Sequence, residues 1–125
     1  MQFTKTDFTA IVHLANAMIM ADGIPYDSEV SVLSSEAIKF NIPAAEFGEI
    51  CRKGMDMEPE YAVAIVSKFS PEQKKYVTAL LGTIMAIDQD IDDKEMALWR
   101  LLTRLCGLPS MSIVEALEYM ADRGK

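Results

Sequence analysis

Apolar residues recur about every 3.6 positions through seven successive stretches of this 125-residue chain, and that spacing restricts it to packed helices. Phe8, Ile11, Ala15, Met18 and Ile19 form the first stripe, and Val30, Leu33, Ala37 and Phe40 the second. Phe47, Ile50 and Cys51 mark a third, shorter helix, and Ala62, Ile65, Val66 and Phe69 a fourth. Val77, Leu80, Leu81, Ile84 and Met85 give the fifth, and Ile113, Val114, Leu117 and Met120 the seventh. The sixth, with Met96, Leu98, Trp99, Leu101, Leu102 and Leu105, is apolar over most of its circumference, which fits a place at the centre of the bundle, the expected one, or a face that meets a partner. No stretch alternates apolar and polar residues long enough to make a strand. The expected fold is all-α, a compact seven-helix bundle in one domain over residues 1–125.

Helix boundaries are written in the same residues. Ser70-Pro71-Glu72-Gln73 places a capping Ser, Pro at the first helical position and Gln at the third. Gly107-Leu108-Pro109 ends the sixth helix, because Gly accepts the left-handed conformation of a C-terminal cap and Pro stops continuation. Asn41-Ile42-Pro43 ends the second in the same way. The run from Gly54 to Pro59 is expected to break the third helix from the fourth.

A shift of 66 residues aligns the two halves without a gap from Thr4 to Pro43. Thr4 then falls on Ser70, Asp22 on Asp88, Glu29 on Glu95, and Asn41-Ile42-Pro43 on Gly107-Leu108-Pro109. Such a register predicts an internal two-fold repeat: two helical hairpins around a shared core, with halves at about 4–54 and 70–122 and a connecting helix at about 58–69.

Charge and cysteine content narrow the partners. Twelve Lys and Arg against nineteen Asp and Glu leave a net charge of −7, which argues against nucleic acid or an anionic membrane as the main partner. Cys51 and Cys106 form no CxxC pair and suit reduced core thiols. The first residues lack a basic-then-apolar signal pattern, and the longest apolar stretch, Val77 to Ile87, is about half the ~20 residues that a membrane span needs. A cytoplasmic protein without membrane insertion is expected.

Any chemistry falls in the two turns between paired helices, 22–29 and 88–95. Asp22 extends the stripe Ile11, Ala15, Met18, and Asp88 extends Val77, Leu81, Ile84, so both are expected to point inward. Each follows a helix C-terminus, where the dipole disfavours an anion by about 0.3–1 kcal/mol. Two carboxylates about 4 Å apart near a surface repel by roughly 4 kcal/mol. Placing acids this way twice calls for basic side chains, bound protons or a cation. Capping accounts for Glu29 and for the Asp92–Glu95 pair, but not for Asp22 or Asp88. A calcium EF-hand does not fit: Asp88, Asp90 and Asp92 match its first ligands, but Asp93 stands where Gly is required and Trp99 where Glu is required. With no His or Cys in either turn, the oxygen donors suit magnesium, calcium or manganese.

At these turns the chain resembles a known family. Met20-Ala21-Asp22-Gly23 with Glu29, and its second copy from Ala86 to Glu95 followed by Leu105-Cys106-Gly107-Leu108, resemble the two halves of the tellurite-resistance TerB-like family. The second copy has Gln89 in place of Gly23, and Ile91 stands where the first has Pro25. The resemblance implies a seven-helix fold with an internal repeat and a role in resistance to tellurite and other stresses. It also implies a divalent cation on Asp22, Glu29, Asp88 and Glu95, and action within larger complexes of protein partners, some membrane-associated.

Nothing else in the chain suggests catalysis. His13 is the sole histidine and has no neighbouring acid, and Cys106 has no adjacent His or basic cluster to activate it. A non-enzymatic binding module is the expectation. The alternative is a metal-free scaffold whose acidic turns cap helices and meet basic protein surfaces.

Overall fold

The chain folds into seven α-helices with no strand among the described residues. The computed structural model describes residues 1–22, 27–87, 91 and 93–123, with backbone alone at 22 and 27–29. The helices are α1 (Lys5–Ile19), α2 (Asp27–Lys39), α3 (Ala44–Asp56), α4 (Pro59–Ser67), α5 (Pro71–Ala86), α6 (Asp93–Leu105) and α7 (Ile113–Arg123). A short 3-10 turn, Met20–Asp22, continues α1.

Local chemistry sets the helix starts. Thr4 and Ser70 each accept a hydrogen bond from the backbone N–H three residues on, and Asp7 and Gln73 reach back to the cap N–H. These reciprocal pairs satisfy donors that the first turn would otherwise leave open. Ser112 and Glu115 form a third such pair, at 3.0 and 3.1 Å, ahead of α7.

The ends of α2 and α6 are built alike. Asn41 has φ 64° and Gly107 φ 65°. The Ile42 N–H donates to the Ala37 carbonyl at 3.0 Å, and the Leu108 N–H to the Thr103 carbonyl at 2.8 Å. Both closures are the six-to-one bond of a left-handed helix stop. The bounds of α2, Asp27–Lys39, fall on those of α6, Asp93–Leu105, after the same 66-residue shift that aligns the caps.

One hydrophobic core takes residues from every helix. At its centre lie α1 and α5, buried around most of their circumference from Phe8 to Ile19 and from Tyr76 to Met85. Helix α1 packs on α3, α4 and α5, and α5 packs on α7. The central place expected for α6 is therefore corrected. It lies on the bundle surface, burying Glu95, Trp99 and Leu102 while Leu101 and Leu105 face outward at 51% and 53% exposure.

Helix α3 also departs from expectation. It runs through Gly54 to Asp56 and is as long as α2. A Cβ on Gly54 would stand 3.0 Å from Val12 Cγ1 and 3.2 Å from the Thr9 carbonyl, so this glycine brings α3 close to α1 and does not end the helix. His13 Nδ1 donates to the Gly54 carbonyl at 2.8 Å, which gives the histidine a structural role. Val30, expected in the core, is exposed, as is Tyr61, and Cys51 is only half-buried.

Candidate functional site

The short 3-10 turn that leads into the first acidic turn and the helix leaving the second are neighbours. Helix α6 packs against Met20–Asp22 and also contacts α1. Glu95, in the first turn of α6, is 3% exposed and is not without interaction partners. Glu29 occupies the same third position of α2 that Glu95 occupies in α6. The backbone of Asp22 closes the 3-10 turn. The side chains of Asp22 and Glu29, and the whole of Asp88, lie outside the described residues, so their convergence with Glu95 is not among the contacts seen. No group of three metal-ligating side chains gathers among the described residues.

The helix ends differ in the charge they carry. Helices α2, α3, α6 and α7 carry Lys39, Lys53, Arg104 and Arg123 in their last turns, where a cation complements the helix dipole. Helices α1, α4 and α5 carry no basic residue there, and two of them, α1 and α5, lead into the acidic turns. Their own ends thus offer carbonyl oxygens and no neutralising side chain. A buried carboxylate beside such a terminus suits a hard divalent cation with oxygen ligands.

Two further polar constellations escape the sequence pattern. Glu36 is buried in α2, where its Oε1 accepts from the Tyr76 hydroxyl at 2.6 Å and its Oε2 from Lys39 Nζ at 2.8 Å. Its place between Leu33 and Ala37 on the buried side of α2 is the signal that could have revealed it. The second lies between α6 and the start of α7, where Arg100 and Arg104 border a cleft of about 500 Å³. Burial pushes the thiols of Cys51 and Cys106 up in pKa, with Lys74 opposing at Cys106, so neither is primed as a nucleophile.

The fold and this arrangement define an all-helical protein of seven helices whose acidic turns join successive helices. No family model matches the chain, and no curated protein does. Among solved structures it is similar to a protein of unknown function, PG1108, from Porphyromonas gingivalis W83. The two share 40% identity over 97% of this chain and 92% of that one, with a TM-score of 0.84. At that identity and coverage the chain belongs to the same family as the Porphyromonas protein.

Proposed function

We propose that the protein is a non-enzymatic, TerB-like stress-response module of the cytoplasm. It holds a divalent cation (magnesium, calcium or manganese) between its two acidic turns and acts through protein partners. The ligands are Asp22, Glu29, Asp88 and Glu95. The observation that carries this reading is the packing of α6, with Glu95 buried in its first turn, against Met20–Asp22. The absence of basic residues from the last turns of α1 and α5 supports it, because those helix ends supply no neutralising side chain of their own. The shared 66-residue register of caps, helix bounds and helix stops supports a pseudo-two-fold repeat, in which one ion joins corresponding turns of the two halves.

A ligand that binds only the folded state raises stability by RT ln(1 + [L]/Kd), so calcium, magnesium or manganese should raise the melting temperature. Asp22→Asn with Asp88→Asn should abolish that rise and, without metal, raise the melting temperature by relieving repulsion. The third-residue placement of Glu29 and Glu95 in their helices favours a second reading, a metal-free scaffold in which these acids serve the helix starts. A melt that none of the three ions changes would select that scaffold.

A further inference from the structure

The cleft bordered by α6 and the start of α7 combines features that the acidic turns do not use. Met96, Trp99, Met111 and Ile113 line it and are buried or half-buried, while Arg100 and Arg104 stand exposed one helical turn apart. Neither arginine has an ion-pair partner among the described residues, although the chain carries seven more acids than bases. The backbone N–H groups of Ser112 and Glu115 at the start of α7 are already taken by their own capping pair. Leu101 and Leu105 each follow one of the arginines, and together they form an exposed apolar ridge beside the cationic one.

We infer that this surface docks a segment of a partner protein in which carboxylates alternate with large apolar side chains. The two guanidiniums take carboxylates in forked pairs, and the leucine ridge and the Met- and Trp-lined cleft take the apolar side chains. Flexible thioethers suit such a surface because they repack around different apolar shapes. The net negative charge of the chain does not forbid an acidic partner. Asp93 lies about 10 Å along α6 from Arg100 and about 16 Å from Arg104, beyond the ~8 Å over which charges act at physiological salt, and the nearer Glu95, about 7.5 Å from Arg100, is buried with partners of its own. The inference gives a location to the partner half of the proposed function and is independent of its cation half.

Trp99 lines the cleft and is the only tryptophan of the chain, so its emission reports occupancy. The probe is a tryptophan-free helical peptide of Asp and Leu, titrated beside the same peptide with Asn for Asp and beside inorganic phosphate. The Asp–Leu peptide should shift Trp99 emission saturably. Arg100→Gln and Arg104→Gln should each weaken it about tenfold, the loss expected for one charge-assisted hydrogen bond. Leu101→Ser with Leu105→Ser should weaken it as well, and the Asn peptide should not bind. Unchanged melting curves would show that the variants remain folded.

No emission change, equal binding of the Asn peptide, or undiminished binding by the arginine variants would overturn the inference. Phosphate saturating the signal as tightly as the peptide would also overturn it, by showing a small-anion site. Asp22→Asn with Asp88→Asn should leave peptide binding unchanged, which separates failure of the docking surface from failure of the cation site.

Discussion

The hydroxyl of Tyr76 donates a 2.6 Å hydrogen bond to Oε1 of Glu36, and both side chains are buried. The pair joins α5 to α2 within an aromatic cluster: Phe40 packs edge-on to Tyr76 at 5.2 Å and to Phe3 at 4.9 Å. The Arg123 guanidinium of α7 stands 5.0 Å above the Tyr76 ring. After the 66-residue shift Glu36 falls on Leu102, so the second half fills the same helical position with an apolar side chain. A buried carboxylate of this kind stays in place only while its oxygens are satisfied.

Removing the donor should therefore cost more than removing the pair. Tyr76→Phe leaves a charged oxygen buried without its partner and should destabilise the fold by about 1–3 kcal/mol in urea melts. Glu36→Leu combined with Tyr76→Phe replaces both members with apolar groups and should recover most of that loss. Equal costs for the single and the double variant would contradict this account of the pair.

Alkaline pH should find the same pair. Burial, then the hydrogen bond to Glu36 and its charge, push the Tyr76 pKa up from its ordinary 10.0, while Arg123 opposes. The folded state therefore keeps a proton that the unfolded state releases. That stabilisation is whole below about pH 10 and is lost as the pH rises further. Melting temperature should fall between about pH 9.5 and pH 11 in the parent, and fall less in Tyr76→Phe, which has no phenol at that position.

Three glycines should respond to alanine with different signs. Gly48 in α3 has nothing within 4 Å of an added Cβ, so Gly48→Ala should stabilise by about 0.5–1 kcal/mol through helix propensity. An added Cβ on Gly82 would meet Trp99 Cζ2 at 2.8 Å and Ala116 Cβ at 2.9 Å. Gly82→Ala should cost about 1–3 kcal/mol and loosen α6 and α7 from α5, visible as a change in Trp99 emission. Gly54→Ala should be destabilising too, because the Thr9 carbonyl is backbone and cannot move aside.

Apolar periodicity and helix punctuation carried the seven helices, the cap at Ser70 with its Gln73, and the left-handed stops at Asn41 and Gly107, because each depends on residues within one or two turns. Inter-helix packing was less visible. Gly54 reads as a breaker by composition, yet its meaning is the close approach of Val12 and Thr9 from α1. Helix α6 has enough leucines to pass for a central helix, yet Leu101 and Leu105 face solvent because α1 and α5 fill the centre. Glu36 and Tyr76 lie 40 residues apart, and no local pattern links them. At the acidic turns the sequence showed the repeated spacing, and the structure adds the contact of α6 with Met20–Asp22 and the burial of Glu95. The S-x-x-E spacing at Ser112–Glu115 was a readable signal that the apolar stripes overshadowed.

The central claim is that one ion bridges both acidic turns, and paramagnetic manganese tests it most directly. Added to isotope-labelled protein, Mn²⁺ should broaden the amide resonances of residues 20–29 and 88–95 together, with a single midpoint, and excess magnesium or calcium should reverse the effect. Amides of α3 should stay sharp, and Asp22→Asn with Asp88→Asn should remove the broadening. Broadening confined to one turn, separate midpoints for the two turns, or no selective broadening at all would contradict a shared site.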